Sequence, residues 1–385
     1  MIRMKDRSSI GRLLAAVLPT VALAAGLAGA SGAAQAQIVV GQTNGVTGQV
    51  AASVKELNLG AKLYIDHVNA TGGVNGQKIE LIAMDDGFDP KRAAANAQTL
   101  IDKNAVALFL TRGTPHTQAV MPLLEKYQIP LVAPSTGAML LHKPVNPYIF
   151  NVRSTYQRES ERAVQLLLEM GNQRIALVQV NDTFGQDAAQ GALKGLNDQK
   201  VKPVAHLTFD RDKHDTQALV RQIMAADPQV VLFIASQQVT AECINALRTA
   251  GSRAMVSTLS NNASVGFLQL LDKNAAGVIV SQVFPNERTM TMPMVREITD
   301  LVKKAPETGG VVSPAIMEGF ASAKVLVEAL KRAGKDVNRG SVLRALNGMN
   351  KYDLGGLEIS FSPTDHTGAN YADIAIVDPR GRFLR

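Results

Sequence analysis

The residues of this chain with chemistry to offer gather in two short loops. Arg112-Gly113-Thr114 follows the apolar run 105–110, and Ser135-Thr136-Gly137 follows the run 129–133. Runs that are apolar without alternation predict strands covered on both faces of a parallel sheet. Thr114 followed by Pro115 predicts a helix start, with the hydroxyl as N-cap and the proline at N1. Val120, Leu123, Leu124 and Tyr127 then recur at the spacing of a buried helical stripe. Two strand ends, two hydroxyl-bearing loops and a helix N-terminus therefore converge. In open α/β sheets ligands bind at such a place, and free backbone N–H groups there favour an anion. Thr114 and Ser135 also read as simple caps. Arg112 either adds positive charge to the site or stands solvated beside it.

Other chemistry is absent from the pattern. His67, His116, His142, His206, His214 and His366 show no metal-ligand spacing. There is no nucleophile elbow, no Walker loop and no GxGxxG, so no catalysis, cofactor or metal is expected. Asp85-Asp86 in a glycine-rich turn reads as a capping pair rather than an acid/base pair. The single cysteine, Cys243, cannot form an internal disulfide and reads as a small apolar core residue. The net charge of +7 is dispersed, with no Lys/Arg run and no tryptophan, so a nucleic-acid surface is not expected.

Residues 1–36 carry Arg3, Lys5, Arg7 and Arg12, then an Ala/Gly-rich apolar stretch broken by Pro19, then Ala34-Gln35-Ala36. That order predicts a cleavable export signal, with Gln37 as the mature N-terminus. No cysteine follows the apolar stretch, so a lipid anchor is not expected. The predicted location is the periplasm.

The elements that must position the two loops alternate regularly. Up to Pro134 the pattern is βαβαβαβ, the order of a doubly covered parallel sheet. A strand at 146–153 leads out of this unit. A second α/β set occupies 174–283, opening with a strand that ends in Asn181-Asp182-Thr183-Phe184-Gly185. Helices are predicted over 294–304, 314–333 and 339–350, with short strands at 358–360 and 371–377. Ile316, Phe320, Ala323 and Val327 fall at helical spacing and read as core. The expected architecture is α/β, with two Rossmann-like lobes of parallel-rich sheets joined by a multi-strand hinge. Lobe one spans 37–153 plus 284–353; lobe two spans 154–283 plus 354–385.

Several motifs in register resemble the periplasmic leucine/isoleucine/valine-binding proteins, the branched-chain amino-acid type of ABC-transporter substrate-binding protein with the type I periplasmic fold. They are the loop ending in Gly48, Asn69-x-x-Gly72-Gly73-Val74-Asn75-Gly76, Asp85-Asp86-x-x-Asp89-Pro90, Thr114-x-x-Thr117-Gln118, Ile129-Pro130-Leu131-x-x-Pro134, and Asp182-x-Phe184-Gly185. The resemblance covers essentially all of 37–385. It implies a monomeric clamshell that closes on one small-molecule solute and is read by an inner-membrane permease and its ATPase subunits. A periplasmic sensor reporting the same kind of ligand to a membrane receptor is the alternative.

In such receptors the first lobe grips the ligand carboxylate with hydroxyls and backbone N–H groups. The matching positions are Thr114, Ser135, Thr136 and Gly137. The second lobe contributes Phe184, Ser236, Gln237, Ser260 and Asn261. Here the chain departs from the pattern. Phenylalanine stands at 184 where leucine-type receptors place an aromatic hydroxyl, and 260–262 holds no acid to meet an ammonium group. Glu287 or Asp272 is the alternative source of that charge. Without it a buried ammonium lacks a counter-charge, which costs several kcal/mol. A non-amino carboxylate, aromatic acid or amide-type solute is therefore expected rather than leucine.

Overall fold

The computed structural model describes residues 37–385. The expected export signal lies outside the described residues. The described residues open with β1 (Ile38–Asn44), α1 (Ala51–Ala70), β2 (Ile79–Asp85), α2 (Pro90–Asp102), β3 (Ala107–Phe109), α3 (Thr114–Tyr127), β4 (Leu131–Val132) and β5 (Ile149–Phe150). It continues with α4 (Tyr156–Glu169), β6 (Ile175–Val180), α5 (Thr183–Asp198), β7 (Ala205–Phe209), α6 (Thr216–Ala226), β8 (Val230–Ile234), α7 (Gln237–Thr249), β9 (Met255–Thr258), α8 (Val265–Leu271) and β10 (Ile279–Gln282). Then come α9 (Pro293–Lys303), α10 (Pro314–Arg332), α11 (Arg339–Asn347), the hairpin β11 (Tyr352–Asp353) and β12 (Glu358–Ile359), and finally β13 (Asp373–Val377) and β14 (Phe383–Leu384).

The first sheet runs β2-β1-β3-β4-β5, parallel throughout. Its register sets Gln42 beside Phe109, Phe109 beside Val132 and Val132 beside Phe150, so the strands end along one edge. The second sheet runs β14-β13-β10-β9-β8-β6-β7. It is parallel except for β13 and β14, which pair antiparallel. The fold class is therefore the expected one.

Helices start where short polar side chains replace missing hydrogen bonds. Asp89 caps α2, with Pro90 at its first position, and Asp182 caps α5. The expected cap at Thr114 is a correction. Thr114 is already the first helical residue of α3, and Gly113, at φ 91°, occupies the N-cap. That backbone conformation suits glycine.

α10 is buried almost all round, with Phe320, Ala323 and Val327 fully inside. It lies directly on α1. A Cβ at Gly319 would stand 1.9 Å from the Leu57 carbonyl oxygen, and one at Gly60 2.0 Å from that of Ile316. Only glycine lets these two backbones touch. The expected boundary at 353/354 needs correction. Leu354, Ile359, Phe361 and Ala369 pack in the core of the first sheet, so the chain returns to the second sheet only after Ala369. That last crossing runs beside the first one. Gly368 N–H donates to the Asn151 carbonyl at 2.7 Å, and Ala369 N–H to that of Val152 at 3.2 Å.

Candidate functional site

The ends of β3 and β4 are bent in the same way. Leu110 (φ 56°) and Ala133 (φ 53°) both adopt the left-handed region, which costs a non-glycine residue about 1–3 kcal/mol. Beyond these kinks Arg112 and Ser135 pair as a parallel bridge, and Ser135 N–H donates to the Thr111 carbonyl at 2.7 Å. Arg112 is buried, not solvated. Its Nη1 donates to Ser135 Oγ at 2.8 Å, and its Nη2 to the Asn261 carbonyl, on the second-sheet side, at 2.7 Å. Ser135 Oγ in turn donates to Glu318 Oε1 on α10 at 2.7 Å. The Thr114 and Thr136 hydroxyls bond each other at 2.7 Å. The loop after β2 adds Phe88, whose N–H is held by Asp86 at 2.9 Å and whose ring stacks on His116 at 4.1 Å.

The second-sheet side offers mostly aromatic and amide groups. Tyr156 meets Phe184 edge-on at 4.8 Å. Asp182 Oδ1 accepts from Phe184 N–H, and its Oδ2 from Arg211, which lies in the loop after β7. The Arg211 guanidinium sits over the Phe88 ring at 5.1 Å. Asn261 Nδ2 donates to the Ala235 carbonyl at 2.9 Å, which fixes the amide's orientation. Asn261 Oδ1 is then a buried acceptor with no donor.

Val50, Phe88, Arg112, Gly113 and Thr114 from one side, and Tyr156, Phe184, Arg211, Ser236 and Asn261 from the other, enclose one crevice. Its free volume is ≈ 20 Å³, about the room one water needs. The two halves touch all around it. Ser53 N–H donates to Gln237 Oε1 at 3.1 Å, and Ser236 Oγ to Gln49 Oε1 at 2.9 Å. Glu56 on α1 accepts from Val265 N–H at 3.1 Å and Gly266 N–H at 2.7 Å, the first turn of α8.

Behind the crevice lies a buried cluster of three charges, Arg153, Glu159 and Glu318. Arg153 Nη2 donates to Glu159 Oε2 at 3.0 Å and to Ser260 Oγ at 2.6 Å, and its Nη1 lies 3.7 Å from Glu318. Glu159 also accepts from Ser281 Oγ and from Ser260 N–H, each at 2.5 Å. Burial alone lowers the Arg153 pKa, but Tyr156, Glu318 and Glu159 raise it above its ordinary value overall. Arg112 falls below its ordinary value because burial outweighs Tyr156 and Glu318. Burial also pushes His116 down to about 4, so this ring is neutral near pH 7. None of the lining residues is an acid.

Of the expected site residues, Thr114, Phe184, Ser236 and Asn261 line the crevice. Ser135, Thr136, Gly137, Gln237 and Ser260 are not among its lining residues. Ser135 and Ser260 are tied to the buried charge cluster, Thr136 is spent on Thr114, and Gly137 packs against the Ser154 backbone. Gln237 faces Ser53 at a neighbouring surface recess. Glu287 is buried beside Arg385, and Asp272 lines a separate recess, so neither supplies the crevice with a negative charge. Phe88, Tyr156 and Arg211 escaped the sequence reading. Each follows a strand at the edge where ligands collect, and that position was the available signal. Among the described residues no group of His, Cys, Asp or Glu could hold a metal ion.

Two α/β sheets that meet at the ends of their strands around a small crevice of aromatic, amide, hydroxyl and guanidinium groups define a two-lobed solute-binding architecture. A model of the family described as "Periplasmic binding protein" matches residues 37–382, and the chain belongs to that family. Within it, the chain is similar to an "Amino acid binding protein" of Pseudomonas aeruginosa, 29% identical over 53% of this chain and 55% of that one, so about half of that relative is spanned. It is also similar to "Leu/Ile/Val-binding protein homolog 3" of Brucella melitensis, 24% identical over 86% of this chain and 88% of that one. Among solved structures, a substrate-binding periplasmic protein from Ralstonia solanacearum superposes with a TM-score of 0.84 at 28% identity, covering 90% of this chain and 99% of that one. The expected resemblance and the type I periplasmic fold therefore hold. The relatives are binding proteins rather than enzymes.

Proposed function

We propose that this chain is the periplasmic receptor of an ABC importer, exported by a signal within residues 1–36. It captures a small carboxylate-bearing or amide-type solute between its lobes and delivers it to an inner-membrane permease and its ATPase. The observation that carries this reading is Arg112. A buried guanidinium lines the crevice, reaches from one half to the other, and has N–H donors beyond those it uses. A carboxylate or amide carbonyl in the crevice would take charge-assisted hydrogen bonds of about 1.5–3 kcal/mol each. Asn261 Oδ1, buried without a donor, would accept from an amide N–H.

The crossings near 151–155, 283–292 and 369–373 act as hinges. A solute that contacts both halves favours closure by its differential affinity for the closed state. The test is a thermal-shift screen of carboxylates, amino acids and amides on the purified protein. A true ligand at a hundredfold excess over its dissociation constant adds about 2.7 kcal/mol of stability and raises the melting temperature. Leucine is expected to give no shift, because no lining carboxylate meets its ammonium group. A clear leucine shift, or silence across all carboxylates and amides, would overturn the reading.

A further inference from the structure

We infer that the solute is an aryl carboxylate without an ammonium group, its ring seated between Phe88 and the Tyr156–Phe184 pair. The inference rests on the carboxylate reading above and deepens it. Three aromatic rings face one small crevice in a chain whose residues are only 4% aromatic, so their gathering is not a matter of composition. They come from both halves: Phe88 from the loop after β2, Tyr156 and Phe184 from α4 and α5. Tyr156 and Phe184 already meet in the edge-to-face geometry that aromatic rings prefer, at 4.8 Å.

The charges agree. Arg112 and Arg211 line the crevice from opposite halves. Asp182, which pairs with Arg211, and Glu318, which Ser135 links to Arg112, are not among the lining residues. The inner wall therefore presents cations to the solute. Arg211 lies over the Phe88 ring at 5.1 Å, a cation–π contact spanning the two halves. A planar ring entering there separates the halves by little more than its own thickness, roughly 3.5–4 Å. It keeps the guanidinium over a π-face as it does so. A branched aliphatic side chain is thicker and offers no such face. A ligand ammonium would meet Arg112 and Arg211 and no acid.

The test is calorimetric titration of the purified protein with benzoate, phenylacetate, cyclohexanecarboxylate, phenylalanine and benzamide. Benzoate or phenylacetate is expected to bind at least tenfold tighter than cyclohexanecarboxylate, with phenylalanine weaker still. Equal binding of cyclohexanecarboxylate overturns the aryl inference and leaves the carboxylate reading standing. Stronger binding of phenylalanine than of phenylacetate also overturns it. Absence of binding by all five removes the inference together with the reading on which it rests. Phe88→Leu should weaken the aryl acid at least fivefold more than it weakens cyclohexanecarboxylate, while Phe88→Tyr should retain aryl binding. Phe88→Leu with unaltered aryl affinity counts against the seat. Arg112→Gln should abolish binding of both acids, and because Arg112 also holds Ser135, the Phe88 pair carries the test should that variant fail to fold.

Discussion

Ser135 illustrates how one residue can be well placed in sequence and yet face inward. It sits at a strand end beside Thr136 and Gly137, where a ligand hydroxyl belongs, but its Oγ accepts from Arg112 and donates to Glu318. On the proposed role, its effect on a solute would run through Arg112, which it bonds. Ser135→Ala leaves Arg112 Nη1 and Glu318 Oε1 short of a partner in a buried place, which costs about 1–3 kcal/mol. Chemical denaturation should show that loss, and calorimetry a several-fold weaker solute. A variant as stable as the parent with unchanged affinity would remove Ser135 from both roles. The strand-end loops were legible from composition because apolar runs and hydroxyl clusters are local features. The partners were not. Glu318 is far from Ser135 in sequence, on a helix whose periodicity reads only as core, and nothing local marks it as the acid that accepts from Ser135. Phe88 and Arg211 are hidden for the same reason, since their meeting depends on how two halves face each other.

At the scale of elements, one contact that joins the halves outside the crevice is a helix terminus met by a carboxylate. Glu56 on α1 accepts from the first-turn N–H groups of α8 and from Ser313 Oγ. Free N–H groups at a helix start favour an anion. Burial raises the Glu56 pKa, and the bonds from Ser313, Gly266 and Val265 oppose that rise. Glu56→Gln keeps the shape but sets an amide N–H against one of these donors. Closure and solute affinity are linked through the population of the closed state. The variant should therefore weaken the solute by about tenfold, the equivalent of one lost charge-assisted bond, with stoichiometry unchanged. Equal affinity in calorimetry would show that this contact plays no part in closure. The β/α alternation around it could be read from periodicity, as could the caps at Asp89 and Asp182. The last boundary could not. The hairpin β11–β12 and the stretch to Ala369 are too short to carry a period, and only packing against the first sheet assigns them.

At the scale of the molecule, two sheets bring their strand ends together around the crevice, and on the proposed role the crossings between them let it open and shut. The described residues show it shut, with ≈ 20 Å³ free and Arg112 bonded across to Asn261. On this account the solute replaces the direct contact between the halves, its negative end on Arg112 and its body among Phe88, Tyr156 and Phe184. No described helix is long and apolar enough to cross a membrane. The most direct test is a crystal structure with the tightest-binding carboxylate from the screen. The predicted result is its carboxylate within hydrogen-bonding distance of the Arg112 guanidinium, enclosed by residues of both sheets. A ligand bound at another recess, or one in the crevice that turns its carboxylate away from Arg112, would contradict the account.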